Sequence, residues 1–387
     1  MLSHLPDEIL IQILVRLSVK SLLRFRSVSR SWNSLITSQP FIGLHLSHSI
    51  EAAGGTNTDS SSIFLRHYSH SRRRQLNTVY RDYGGESLAE DQELEFPIKT
   101  YDTYYYVGAC NGLICLADYL INHLRVVLWN PSIRTCFRVP IPRLIDTDNA
   151  HIYTVGFGFD RRTGQYKVMR MIYAVSRNYE RLIPPEVEVY VLGSDRWRSI
   201  DCHVPYLVPE SSPQAFFCGG IHWVGCREDQ SMVIVVFNVQ EEVFQEIEIP
   251  RSIRHRNMHR LSVCSHRDSL YLLENDPWRD GKFMLGVFDI WVMEYGVKES
   301  WTKQFSIDVR GERGGGLLKR VLGFRKEGKI LAVNEEEELI SYDKKGRRVN
   351  QHGIRGLAKS FEAIPHLECL VLLKGTDGFD GQMSSCS

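Results

Sequence analysis

Neither sign of charge dominates this sequence: 47 Lys and Arg stand against 46 Asp and Glu in 387 residues, a net charge of +1. A balance this close to neutral gives no general reason to expect nucleic acid or an anionic membrane as a partner. Long apolar runs are missing, so no stretch reaches the eighteen or so residues a membrane span needs. Asp7 and Glu8 come before the first apolar segment and Gln12 and Arg16 interrupt it, so it does not read as a secretory leader. The nine cysteines have no repeated short spacing, and an odd number suits free thiols in a reducing compartment. Cys386 stands next to the last residue, so the C-terminus is not a prenylation box. Cytosol or nucleus is the expectation.

Catalytic and cofactor signatures are equally scarce. The nucleophile elbow GxSxG is absent. "VGFGFDRRTG" carries Gly156, Gly158 and Gly164, but its spacing departs from GxGxxG and no helical pattern follows. It reads as a strand with a hairpin turn at "DRRTG". Cys218, His222 and Cys226 stand four apart, with Cys202-His203 and Cys264-x-His266 elsewhere. A four-residue step along a strand spans about 13 Å, too far for compact zinc pairs, so these read as free cysteines on strands. No catalytic residue, cofactor or metal is expected.

What is abundant is apolar surface at the N-terminus. In "LPDEILIQILVRLSVKSLLRFRSVSRSWNSLI", Pro6 suits the start of a helix, and Asp7 and Glu8 favour its positive end. Ile9, Leu10, Ile13, Leu14 and Leu17 share one helical face, while Ile11 and Val15 fall on another. Ser18 can cap a second helix bearing Val19, Leu22, Leu23 and Phe25. A third carries Val28, Trp32, Leu35 and Ile36, and "FIGLHL" after Pro40 adds a helical turn or two. These apolar residues exceed what one internal face per helix can hide. Either the rest of the chain covers the surplus, or another protein does, at a surface ringed by Arg16, Lys20, Arg24, Arg26 and Arg30. The pattern alone leaves both open.

This stretch closely resembles an F-box, the module that docks onto the Skp-type adaptor of cullin–RING ubiquitin ligases. The likeness covers the Leu-Pro start and "KSLLRFRSVSRSW", with Ser18 where plant relatives commonly have Pro. The resemblance implies adaptor contacts at Leu5, Pro6, Ile9, Leu10, Ile13, Leu14, Leu22, Phe25, Val28, Ser29, Trp32, Leu35 and Ile36. Some of these must instead hold the helices together.

From Ile50 to Ser62 the chain is rich in Gly, Ser and Thr and reads as a linker. Beyond it the texture changes to short alternating strands. Gly112, Gly164, Gly220, Asp268 and Gly328 mark turns in a unit of roughly fifty to sixty residues, near a kelch-type propeller blade. Such sheets bury both faces only by stacking radially. "SIFLRHY" and "ECLVLL" are strand-like pieces that could share one blade and close the ring; a pair of elongated β-sandwiches is the rival. Trp129, Trp197, Trp223, Trp291 and Trp301 should be inter-blade core, with one or two free to anchor a partner on the ring face. The charge runs "SRRRQ" and "EEEE" read as solvated loops, and "RGERGGGLLKR" as an inter-blade loop.

"NGLICL", "LWNPSIR", "GFGFD" with "YKVMRM", "VEVYVL" with "WRSI", and "IHWV" resemble the domain that follows the F-box in a large plant family. That group includes pollen self-incompatibility F-box proteins and F-box regulators of immune receptors. The expected organisation is α+β and multidomain: a three-helix F-box over 1–47, a linker over 48–61, an all-β propeller-like domain over 62–375 and a tail over 376–387. The resemblance implies a non-catalytic substrate receptor that holds a Skp-type adaptor, and through it a cullin–RING scaffold, together with a protein target; the alternatives are a propeller-type enzyme with an F-box-like appendage and an F-box scaffold that does not direct degradation. The sequence does not reveal which residues bind that target.

Overall fold

The computed structural model describes residues 6–52, 62–85, 87–96, 98, 104–119, 124–141, 150–175, 185–194, 196–210, 212–275, 278–279, 282–283, 287–294, 301–308, 318–343 and 348–373. Leu5, most of the expected linker, the glycine-rich run 311–316 and the tail 376–387 lie outside the described residues.

Four helices come first: α1 (Asp7–Leu14), α2 (Val19–Phe25), α3 (Arg30–Ile36) and α4 (Gln39–Ala52). Pro6 is the residue before the first turn of α1, with extended backbone. Ser18 and Ser29 cap α2 and α3, their hydroxyl oxygens accepting from the N–H groups of Ser21 (3.4 Å) and Trp32 (3.2 Å). The fourth helix is longer than the turn or two expected after Pro40. It runs through Ala52, so the first residues of the expected 48–61 linker are helical.

Among the described residues the remaining chain forms six four-stranded antiparallel sheets, the blades of a propeller, and one small hairpin. Blade 1 holds β1 (Ser62–Ser69), β2 (Arg74–Asp82) and β3 (Leu88–Glu93). Blade 2 holds β4 (Tyr105–Cys110), β5 (Leu113–Asp118), β6 (Arg125–Asn130) and β7 (Thr135–Arg138). Blade 3 follows with β8 (Ala150–Asp160), β9 (Gln165–Val175), β10 (Glu186–Val191) and β11 (Arg198–Ile200). Blade 4 has β12 (Ala215–Phe217), β13 (Gly220–Cys226), β14 (Met232–Asn238) and β15 (Val243–Glu248). Blade 5 has β16 (Leu261–His266), β17 (Ser269–Asn275), β20 (Val287–Glu294) and β21 (Trp301–Asp308), with the hairpin β18 (Trp278–Arg279) and β19 (Lys282–Phe283) between its second and third strands. Blade 6 has β22 (Leu318–Phe324), β23 (Ile330–Asn334), β24 (Glu338–Tyr342) and β25 (Arg348–Arg355), and β26 (Glu362–Pro365) ends the series.

The ring closes through β26, which pairs with β1 and becomes the inner strand of blade 1, Phe64 opposite Ile364. The expected partner "ECLVLL" does not take that place: residues 366–373 belong to no strand. Closure lies where the sequence put it, but a shorter, less apolar stretch performs it.

Each seam between neighbouring blades has its own apolar cluster. Phe64 and Trp129 meet edge-on between blades 1 and 2, and Trp223 and Phe237 fill the seam between blades 3 and 4. Because middle strands are covered on both sides, "LICLAD", "GIHWVGC" and "ELISY" are buried throughout and read as continuous runs, not as the expected alternation. Outer strands such as β3 and β15 are largely exposed. Gly156 fits this packing: a Cβ there would sit 2.5 Å from the Trp223 ring. The glycines of "VGFGF" thus serve the close approach of two blades, and "DRRTG" forms the expected turn, with Gly164 left-handed.

Candidate functional site: two faces of the ring

The helical module divides the residues singled out by resemblance into distinct environments. Leu14, Leu22 and Ile36 are buried and hold the module together. Leu10, Phe25, Trp32 and Leu35 are half-buried, with Phe25 and Trp32 edge-to-face at 5.2 Å. Ile9, Ile13 and Val28 stand 41%, 46% and 63% exposed. Pro6 and the capping Ser29 are exposed as well. Leu44 on α4, 52% exposed, is a further apolar surface residue that the sequence reading missed. Its signal was the stretch after Pro40, which is helical for far longer than expected. Arg16, Lys20, Arg24 and Arg30 are exposed too, and Arg26 donates from Nε to Asn33 Oδ1 at 3.1 Å.

The module packs against the ring. Leu14, Val19, Leu22, Ile36, Phe41, Ile42 and Leu46 belong to the same apolar cluster as the seam between blades 2 and 3 and as residues 367–373. So the apolar surplus divides: part faces the rest of the chain and part faces solvent. The contact lies at the end of the ring where the first strand of each blade turns into the second. Gly112, in the β4–β5 turn, and Asn130, at the start of the β6–β7 turn, both touch residues 367–369, the segment whose Glu368 meets α2. Connections at this end are short. Among the described residues, the crossings from one blade to the next at 249–260 and 356–361 lie at the opposite end, a placement that follows from strand direction.

A cavity of about 590 Å³ runs inside the ring, lined by β4, β12, β16, β22 and β26 and by crossing residues 209–210, 212–214, 258–260 and 358–359. Its wall is built by side chains that satisfy free backbone edges. The Gln214 amide donates to Phe157 O at 2.7 Å and accepts from Phe157 N–H at 2.8 Å. Arg320 donates to the carbonyls of Lys359 (3.1 Å) and Phe361 (2.8 Å) and to Glu362 (3.1 Å). Burial pushes the nearby Arg66 down to about 10 against the pull of Glu362. Burial likewise pushes the Cys264 thiol up to about 12, so it stays protonated and non-nucleophilic at neutral pH.

Other candidate chemistry disperses. Cys218 is exposed on a turn while His222 and Cys226 are buried on β13, and His222 Nδ1 lies 3.1 Å from Gly220 O. Among the described residues no three of His, Cys, Asp and Glu come together as a metal site. Ser341 Oγ bonds His352 Nε2, but Arg325 donates to the same hydroxyl, Ser341 is fully enclosed, and neither residue lines the cavity. Members of both charge runs have local partners: Arg72 and Arg74 reach Glu93, and His70 and Lys319 reach Glu337. None of the five singled-out tryptophans is exposed. No described helix is long and apolar enough to cross a membrane.

Comparison with known families decides the identity. Residues 58–366 match the F-box associated beta propeller domain and residues 2–42 the F-box domain. The chain belongs to the F-box proteins with an associated β-propeller. It is 27% identical to the F-box protein At3g07870 of Arabidopsis thaliana, over 94% of this chain and 91% of that protein. It is 25% identical to the F-box protein CPR1 of Arabidopsis thaliana, over 96% of this chain and 89% of the relative. Among solved structures, TolB from Acinetobacter baumannii aligns with 84% of this chain and 72% of its own, at 11% identity and a TM-score of 0.44. In general an F-box is a docking module for Skp-type adaptors in SCF complexes, and F-box proteins with such a second domain serve as substrate receptors.

Proposed function

We propose that this F-box protein is the target-binding subunit of an SCF-type cullin–RING ubiquitin ligase, without an active site of its own. Its F-box would hold a Skp-type adaptor, and the propeller a protein target that is then ubiquitinated and degraded. The observation that carries the reading is the exposure of four large apolar side chains, Ile9, Ile13, Val28 and Leu44, on one small helical module. Solvated apolar side chains on a module that also exposes Arg16, Lys20, Arg24 and Arg30 have the composition of a docking surface, not of a finished one.

The two ends of the ring support a division of labour. The F-box occupies the end with short turns, which leaves the end with long crossings for the target. Chemistry would come from the ligase's other subunits, with this chain raising the effective concentration of target beside the charged ubiquitin-conjugating enzyme. A cytosolic or nuclear location suits that role, with no part for nucleic acid or membrane.

The test is co-expression with a plant Skp-type adaptor. The wild-type chain should co-elute with it at one to one on size exclusion, and an Ile13→Asp/Val28→Asp variant should elute alone with an unchanged melting temperature. Co-elution of that variant would refute the assignment of this face.

A further inference from the structure

Residues 366–373 leave the strand that closes the ring and run to the helical module, making contacts on both sides. On the ring side, His366 N–H donates to Ser62 O at 2.8 Å, and Cys369 N–H donates to Ser132 Oγ at 3.2 Å. The Asn130 amide donates to the carbonyls of Cys369 (3.1 Å) and Val371 (3.0 Å). Asn130 is completely buried, and its NH2 group is committed to this segment while its oxygen accepts from Ser132 N–H. Gly112 lies so close beneath that a Cβ would sit 2.3 Å from Leu367 O, and its φ of +81° suits glycine.

On the module side, Glu368 Oε2 accepts from Val19 N–H, in the first turn of α2, at 3.1 Å. The same carboxylate lies in the electrostatic field of the buried His45, whose Nε2 meets Leu17 O at 3.0 Å. Side chains of an extended segment alternate between faces. The Cys369 sulfur lies on the ring near Gly112, while the neighbouring Glu368 reaches the helices. Leu370 is buried in the cluster that includes Leu14, Leu22 and Phe41.

We infer that residues 366–373 tie the F-box to the propeller in one orientation, with Glu368 as a positioning residue. It fixes where a docked adaptor points relative to the far end of the ring, while touching neither adaptor nor target. The tie continues directly from β26, so ring closure and F-box placement are consecutive steps along one covalent stretch. A target held at fixed distance and angle from the ligase spends less of its time out of reach than one on a free joint. The consequence for ubiquitin transfer rests on the function proposed above; the tie itself does not.

Two measurements on the full chain test it: hydrogen exchange of the Val19–Phe25 amides, and small-angle scattering with and without bound Skp-type adaptor. In Glu368→Ala/Leu370→Ser, exchange of α2 should accelerate roughly tenfold, the scale of one lost buried contact. The radius of gyration should rise, with the adaptor still bound and the ring's melting transition in place. Glu368→Ala alone alters no buried apolar group and should still speed exchange at α2. Unchanged protection of α2 in both variants, or an unchanged scattering curve in the double variant, overturns the inference. Failure of the wild-type chain to bind adaptor would instead count against the proposed function, since exchange on the free chain still reads the tie.

Discussion

Asp82 and Arg325 face each other, fully buried, across the seam between the last blade and the first. Arg325 Nε donates to Asp82 Oδ2 at 3.0 Å and Nη2 to Oδ1 at 2.6 Å. The remaining acceptor positions take the N–H groups of Gly84 and Lys326, both at 2.9 Å, and Nη1 reaches Ser341 Oγ at 3.1 Å. Burial pushes the Asp82 pKa up, but the bonds from Arg325 and these amides outweigh it and hold the carboxyl below its usual range. The ring is therefore fastened twice, by the pairing of β26 with β1 and by this ion pair. Removing one partner leaves a buried charge uncompensated, so Arg325→Met should cost about 3–5 kcal/mol in chemical denaturation. A double change, Asp82→Asn/Arg325→Met, should recover part of that loss. Equal losses in the single and double variants would show that the charge pair is not what fastens this seam.

Acid should weaken the ring well above the pH at which carboxylates titrate. His67, His222, His352 and His366 are all held near 4, with burial the leading cause in each. Arg72 adds to the effect at His67 and Arg325 at His352. Their folded pKa values lie below the unfolded 6.5, so the unfolded chain binds more protons between these limits. The stability they contribute is present above about pH 6.5 and is lost as pH falls towards 4. Melting temperature should drop across that window. Replacing His67 by Phe keeps the stack on Phe361 (4.9 Å, 9°) and should lower the proton uptake on unfolding near pH 5 by about one. An unchanged slope in His67→Phe would contradict this account.

Two tryptophans, one just before β11 and one opening β21, act as matching hooks between blades. Trp197 Nε1 donates to Pro140 O, and Trp301 Nε1 to Glu248 O, each at 2.7 Å and each onto the preceding blade. Replacing either by Phe keeps most of the ring area but loses the donor, at about 0.5–1.5 kcal/mol. The two sites share no partners, so the double variant should lose the sum. Denaturant midpoints measure both effects, and a non-additive double would indicate coupling through the seams.

Exposure separates stability from docking within the F-box. Leu22→Ala removes a fully enclosed side chain and should cost about 2–5 kcal/mol. Val28→Asp alters a group mostly in water and should leave thermal unfolding within about 0.5 kcal/mol of wild type while abolishing adaptor binding. Isothermal titration with the adaptor, read beside thermal melts, checks the pair. A large stability loss in Val28→Asp would place that residue in the core.

Local chemistry was legible in the sequence. Ser18 caps α2 because a hydroxyl before an apolar run can satisfy a free helix amide wherever the helix lies. "DRRTG" turns because glycine tolerates the left-handed backbone at its fifth position. The adaptor face was legible only as a set. Leu14 and Ile13 are neighbours of like character, and which is buried depends on what packs above the helix.

What the sequence determined by itself is the menu of pieces: amphipathic helices, capped where hydroxyls allow, and strands punctuated by turns, because these follow from interactions among near neighbours. Only the tertiary structure decided which stretch closes the ring. "EAIP" becomes a strand because the free edge of β1 stands beside it, whereas the more apolar "ECLVLL" finds its cover between Asn130 and α2. Pairing and burial at these sites join residues that chain position separates by hundreds, and no local pattern encodes that choice.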